Sequence, residues 1–293
     1  MNLEEDILMS LQFGLQLYSV RDELTKDFEG TLAKVSAIGF KNVELFFHDA
    51  NNIGGTVGGL NPVELKQAFD KYGLKGVSAH IDLGFLTEEN AEKIVAYAKE
   101  VGFDSVAIAI AFYASKQEVL DMCTQLNKAG QYFKQHGLQL YYHNHFEEFQ
   151  LFDGQYAMDL IVEHTEPELV KFEFDTYWAM RGGIDPIAYL EKLGDRCDLL
   201  HQKDLPASAQ PVNLFELIGN DARIDMELMI KLHRVEYFTE AGQGVMNIPA
   251  IVEAFSKKPE ARYLFIEQDW TNRNQLDSVQ ISYDYISQLI QPN

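Results

Sequence analysis

Four stretches decide the fold: Gly39-Phe40-Lys41-Asn42-Val43-Glu44-Leu45-Phe46, Gly73-Leu74-Lys75-Gly76-Val77-Ser78-Ala79-His80, Gly102-Phe103-Asp104-Ser105-Val106-Ala107-Ile108-Ala109-Ile110 and Gly137-Leu138-Gln139-Leu140-Tyr141-Tyr142-His143. In each, a helical pattern closes on glycine and a β-prone run begins at once. The glycines recur at intervals of 34, 29 and 35 residues. That is the length of one strand, one helix and two short loops, the unit from which parallel sheets are wound. The glycines read as left-handed helix stops.

The helices between them carry start signals. Asn61-Pro62-Val63-Glu64 and Ser115-Lys116-Gln117-Glu118 each place a capping residue three positions before glutamate. The run Val119, Met122, Cys123, Leu126, Ala129, Phe133 recurs at three- and four-residue steps, as do Leu65, Ala68, Phe69, Tyr72 and Ala91, Ile94, Val95, Ala98. Such stripes pack against a sheet and are core. Short apolar runs near Phe13, Asn42, Leu74, Asp104, Leu138, Val170, Cys197 and Arg262 give eight strands. Eight strands with helices between them predict an α/β fold, a single (β/α)8 TIM barrel spanning residues 1–293 as one domain. An open doubly wound sheet would carry a glycine-rich phosphate loop after its first strand, and Tyr18-Ser19-Val20-Arg21-Asp22 is no such loop. The stretch from Leu205 to Asn247 is too long for an ordinary loop and is expected to cover the active site with helices of its own.

Composition sets further bounds. Of 293 residues, 46% are hydrophobic and 24% charged, which excludes disorder and collagen. The 24 basic against 45 acidic side chains give a net charge of −21, which speaks against nucleic acid and anionic membrane surfaces as partners. Cys123 and Cys197 offer neither a disulfide framework nor zinc-ligand spacing and read as buried thiols of a reducing compartment. The acidic start Met1-Asn2-Leu3-Glu4-Glu5-Asp6 is unlike a signal peptide, and no apolar run reaches membrane-spanning length, so the chain is expected to be cytoplasmic.

Five of the eight runs end on a group able to bind a metal or move a proton: His80, His143, Asp175, His201 and Glu267. In a parallel barrel all strand C-termini open on one face, so these residues converge. Burying them together is costly without mutual pairing or a cation, which makes a metal the economical reading. Glu44 reads as either a structural charge or a member of this group.

These residues and their surroundings resemble the sugar phosphate isomerase/epimerase family over nearly the whole chain. The markers are Gly14-Leu15-Gln16-Leu17-Tyr18-Ser19-Val20-Arg21, Val43-Glu44-Leu45, Tyr142-His143-Asn144-His145-Phe146-Glu147-Glu148-Phe149 and Phe174-Asp175-Thr176-Tyr177-Trp178. Downstream come His201-Gln202-Lys203-Asp204, Gly242-Gln243-Gly244-Val245-Met246-Asn247-Ile248-Pro249 and Phe265-Ile266-Glu267-Gln268-Asp269. The resemblance implies a xylose isomerase-like TIM barrel, a group that includes ketose 3-epimerases, inosose dehydratases and zinc-dependent AP endonucleases. It implies one divalent metal ion on His143, Asp175, His201 and Glu267. Two imidazoles and two carboxylates suit Mn, Co, Fe or Zn better than Mg, which prefers oxygen ligands.

The activity so implied is metal-dependent isomerisation or epimerisation of a ketose, sugar phosphate or related polyol derivative through an enediolate. The alternative is a lyase or dehydratase of the inosose dehydratase or 3-keto-glycoside type. Ketose 3-epimerases carry glutamate where this chain has His143. That leaves Glu267 as the catalytic base, with Glu147, Glu148, His145 or Lys203 as a second acid. Lys203 reads as an oxyanion stabiliser or proton donor, or else as a salt bridge to Asp204 or Glu240. Trp178 stands where relatives have histidine and reads equally as packing or as a sugar-stacking wall. His80 and Arg21 are weaker candidates for substrate contacts. The three-zinc endonuclease site cannot be assembled, because Ser105 to Ala111 holds no histidine and no Asp-x-His follows His201. The expected partner is a small-molecule sugar, and relatives imply a homo-oligomer, dimer or tetramer.

Overall fold

A computed structural model of the chain describes residues 11–47, 49 and 59–290. The acidic N-terminal residues read above as unlike a signal peptide lie outside the described residues. Eight parallel strands close into a barrel: β1 (Gln12–Gln16), β2 (Asn42–Phe47), β3 (Lys75–Ile81), β4 (Ser105–Ile108), β5 (Gln139–His143), β6 (Val170–Asp175), β7 (Cys197–Gln202) and β8 (Tyr263–Ile266). Closure is made by β8 on β1, with Phe13 beside Leu264 and Leu15 beside Ile266. Eight main helices follow the strands on the outside: α1 (Phe28–Ile38), α2 (Pro62–Tyr72), α3 (Glu88–Val101), α4 (Lys116–Gln135), α5 (Ala157–His164), α6 (Pro186–Leu193), α7 (Ile248–Ser256) and α8 (Gln275–Ile290), with short helices at Arg21–Lys26 and Thr176–Arg181 preceding α1 and α6. The eight runs identified from sequence are the eight strands.

The local signals act as expected, with one refinement. Asn61 and Glu64 form the full reciprocal cap of α2. At α4 the Ser115 hydroxyl accepts from the Glu118 amide, but the Glu118 carboxylate reaches the amide of Ala114, one residue upstream of the cap. Gly73 and Gly102 close α2 and α3 in the left-handed conformation, which costs a residue without Cβ little. Leu65, Ala68 and Phe69 of α2, and Val119, Met122, Cys123 and Leu126 of α4, are buried in the large core that the helices share with the sheet. Cys123 and Cys197 are buried free thiols. No helix among the described residues is long and apolar enough to cross a membrane.

Inside the barrel a second, smaller apolar cluster of Val77, Ala107, Tyr141, Leu199, Tyr263 and Phe265 fills the lower part. Successive residues of a strand point to opposite faces, so the next inward position, two residues on, lies closer to the C-terminal mouth. There the inward residues turn polar: His143 follows Tyr141, His201 follows Leu199 and Glu267 follows Phe265. The change from apolar to ionisable side chains along the same inward rows is what makes one end of the barrel a site.

The segment between β7 and α7 does carry helices of its own, Phe215–Ile218 and Met226–Leu232. Asp204 fastens its far end. One carboxylate oxygen accepts from the amides of Gly242 and Gly244, and the other from those of Leu205 and Met246, at 2.8–3.1 Å. Gly244 is required by this close approach, since a Cβ there would lie 2.2 Å from an Asp204 oxygen.

Candidate metal centre and substrate cavity

The barrel mouth opens into a cavity of about 400 Å³. His80, His143, His145 and Glu267 of the predicted site residues line it. His143, Asp175, His201 and Glu267 are buried and each offers a ligand atom within 4.8 Å of the others. Four consecutive barrel strands, β5 to β8, bring together residues up to 124 positions apart, from His143 to Glu267.

Lys203 is joined to this group. Its buried ammonium lies 2.5 Å from Asp175 Oδ2, 2.5 Å from Glu267 Oε2 and 3.8 Å from Asp269 Oδ1. Its partners are therefore these three carboxylates, whereas Asp204 is occupied by backbone amides and Glu240 by Thr271, Ser278 and Arg273. Burial opposes the Lys203 charge, yet Asp175, Asp269 and Glu267 outweigh it and hold the lysine pKa well above its ordinary value. Burial likewise raises Glu267, but Lys203 and His201 overcome it and hold that carboxylate well below the usual range. Asp175 is shifted upward, because burial exceeds the lowering by Lys203.

A second tier lies beneath. His201 donates or accepts at both ring nitrogens, with Nδ1 2.7 Å from Glu267 Oε2 and Nε2 2.7 Å from Glu44 Oε2. Glu44 also accepts from Gln16 Nε2 at 2.9 Å. His80 Nε2 lies 2.7 Å from Glu173 Oε2 and 3.4 Å from Glu44 Oε2. Glu44, left open between two readings by the sequence, is part of the network. Glu173 was not anticipated, although it precedes Asp175 by two positions on one strand and so shares its inward face. Burial pushes Glu44 up to about 7. Burial opposes the charge on His201, but Glu173, Glu267 and Glu44 prevail and raise its pKa well above the ordinary value. His143 is driven down to about 3 by burial and by neighbouring His201. Burial also holds His145 well below its usual value, so both rings are neutral at pH 7.

Other predicted residues fall elsewhere. Glu147 and Glu148 are buried in the short turn after β5 and do not line the cavity. Glu148 accepts from the Tyr142 hydroxyl and the His145 amide, which holds the strand-five turn in shape. Trp178 is fully buried behind the cavity wall, its ring 5.2 Å from His145 and 4.7 Å from His233, so those two imidazoles stand where a sugar would stack. The packing reading of Trp178 matches this placement. Arg21 sits on the rim, donating to the carbonyls of Tyr18 and Asp269 and stacking over the rings of Tyr18 and Trp270.

Three polar cavity residues escaped the sequence reading: Asp82, His233 and Asp269. His233 Nε2 lies 3.2 Å from Asp269 Oδ2. Asp269 lies two residues beyond Glu267, a signal available in the sequence. His233 comes from the covering segment, and no periodic pattern announces it.

The residues fit a divalent cation on the chemistry of the donor set. Two imidazoles and two carboxylates converge on one spot, and the Lys203 ammonium already bridges the two carboxylates there, so the spot is built around positive charge.

Comparison with known proteins agrees with this architecture. A family model described as xylose isomerase-like TIM barrel matches residues 32–288. An inosose dehydratase of Mesomycoplasma hyopneumoniae (strain 7448) is 29% identical over 184 residues, which are 61% of this chain and 57% of that protein. The match thus spans little more than half the length of that relative. A sugar phosphate isomerase/epimerase from Parabacteroides distasonis superposes with a TM-score of 0.72 at 24% identity, over 97% of this chain and 95% of that one. A probable 3-DHS dehydratase from Bacillus anthracis gives a TM-score of 0.70 at 16% identity, over 94% of this chain and 99% of that one. At these identities the two structures show the fold alone.

Proposed function

The chain belongs to the xylose isomerase-like TIM barrel family, and from that premise we propose that it is a divalent-metal-dependent enzyme acting on a sugar or polyol derivative that bears a carbonyl. The proposed reaction begins with removal of a proton from the carbon beside the carbonyl, and isomerisation or epimerisation follows when the enediolate is reprotonated. The observation that carries this reading is the convergence of His143, Asp175, His201 and Glu267 within 4.8 Å, with His143 and Glu267 lining the cavity.

When bound by these four residues, the ion would supply a Lewis acid for negative charge developing on substrate oxygen. The chain's own groups supply the rest. Glu267 faces the cavity as a carboxylate, the form able to accept the proton. Neutral His145 also lines the cavity and retains an N–H to donate and a lone pair to accept, with Nδ1 unpartnered and buried. Lys203, charged and buried outside the cavity lining, holds Asp175 and Glu267 in place through its two ion pairs. His80 lines the cavity and pairs with the buried Glu173 behind it, which fixes its ring beside the ligands.

A second reading, dehydration, is favoured by one observation. The strand-five position is His143, so the donor set has no third carboxylate to act as base on the other side of a substrate. One carboxylate base with a cationic Lys203 beside it suits loss of a proton and a β-hydroxyl. The name of the similar inosose dehydratase points the same way.

Incubation of the metal-loaded protein in deuterated water with ketoses and inososes tests both. Label incorporated without loss of water supports isomerisation or epimerisation, and an unsaturated product supports dehydration. Absence of exchange and of bound metal by elemental analysis would overturn the proposal.

A further inference from the structure

The floor of the cavity is polar, and its mouth carries an apolar strip beside Arg21. Among the described residues seven large apolar side chains are exposed, and three of them, Met226 (50%), Ile230 (66%) and Trp270 (43%), border this one cavity. Met226 and Ile230 stand four positions apart on the helix Met226–Leu232, with Met229 between them, so the three share one face. The residue after that helix is His233, whose imidazole reaches the polar floor beside Asp269. One element of the covering segment therefore carries an apolar strip that runs directly into the polar part of the site. Apolar side chains held in water along a ligand cavity gain free energy only when something covers them.

Charge narrows what that something is. Among the described residues Asp82, Glu267 and Asp269 line the cavity, whereas no lysine or arginine does. The nearest cations are committed: Lys203 to Asp175 and Glu267, and Arg21 to two backbone carbonyls on the rim. Residues 1–10, 48, 50–58 and 291–293 contain no lysine or arginine either. The whole chain carries −21. A phosphate dianion placed here meets carboxylates with no lysine or arginine of the lining to balance it.

We propose that the substrate is an unphosphorylated sugar derivative bearing an apolar substituent, with its hydroxylated ring on the polar floor and the substituent lying across Met226, Ile230 and Trp270. This rests on the reading of the cavity as the substrate site and adds the substrate's class to it. A methionine and tryptophan rim accepts rings of differing shape, because thioethers adapt and the indole face stacks.

Calorimetric binding tests it, using glucose, glucose 6-phosphate, methyl β-glucoside and phenyl β-glucoside as probes, each with manganese and with chelator. Phenyl glucoside is expected to bind about tenfold or more tightly than methyl glucoside, from burial of one ring. Glucose 6-phosphate is expected to bind no more tightly than glucose. Ile230→Ser should cut the affinity for phenyl glucoside several-fold more than that for methyl glucoside, and sedimentation should show the same mass as the unaltered protein. Equal affinity for the two glucosides, no binding of either, or tighter binding of the phosphate overturns the proposal. So does a change in mass for Ile230→Ser without a change in aryl preference, which would make the rim a contact between two copies of the chain. An aryl preference without deuterium exchange in any substrate would leave this proposal standing and remove the assigned reaction instead.

Discussion

Nε2 of His201 lies 2.7 Å from Glu44 Oε2 while Nδ1 of the same ring lies 2.7 Å from Glu267 Oε2, so a carboxylate on β2 sets which nitrogen of a β7 imidazole meets Glu267. Glu44 is itself held by Gln16 from β1. Glu44→Gln keeps the shape but exchanges an anionic acceptor for an amide that must choose between Gln16 and His201. Metal affinity should fall by about 10- to 100-fold, as for other groups that orient a ligand. Titration calorimetry with manganese or cobalt checks it, and an unchanged affinity would show that His201 needs no such support.

Lys203 balances two buried carboxylates, and a divalent ion would do the same. Lys203→Met leaves Asp175 and Glu267 buried with less counter-charge, which should destabilise the chelator-treated protein by about 3–5 kcal/mol. Added manganese should then raise the melting temperature of the variant more than that of the unaltered protein, because binding to the native state alone is a stabilising linkage. Thermal unfolding with manganese and with chelator reads both effects. Equal shifts in the two proteins would sink the idea.

Burial holds the Glu148 carboxyl at about 7 in the folded protein, against an ordinary 4.5. The folded state therefore binds this proton more tightly than the unfolded chain does. The contribution is fully present below about pH 4.5 and is lost as pH rises through about 7. Relative to Glu148→Gln, the unaltered protein should lose on the order of 3 kcal/mol between pH 5 and pH 8. Urea unfolding of both proteins at the two pH values measures the difference, and a pH-independent gap would contradict it.

Asp204 accepts four backbone amides and ties residues 242–246 to the end of β7. Asp204→Ala should cost about 2–4 kcal/mol, since several buried donors lose a charged acceptor at once. Amide exchange of Gly242, Gly244 and Met246 should accelerate selectively. Protection that persists at these amides would mean the loop is held by other contacts.

Much of the fold was legible because its signals are local. Gly73 and Gly102 announce helix ends by a conformation that side chains resist, Asn61 and Glu64 announce a beginning, and the stripe from Val119 to Phe133 announces a buried face. The site was legible in part for a related reason. A strand's inward positions repeat every second residue, so His143, Asp175, His201 and Glu267 stand out as ionisable groups at strand ends. Glu173 and Asp269 obey that same spacing and were within reach of it. Glu147 and Glu148 were not, because the turn after β5 decides whether a carboxylate faces the cavity or the core, and turns carry no period.

The sequence by itself determined the eight strands, their helices and the identity of the groups at one end of the barrel, since chain-local geometry and side-chain alternation dictate these. Tertiary structure alone decided the pairings: Lys203 with Asp175 and Glu267, His201 with Glu44, and His233 with Asp269. Those partners lie 28, 64, 157 and 36 residues apart. Barrel closure and the path of the covering segment set their distances, and so set which charges stay buried together.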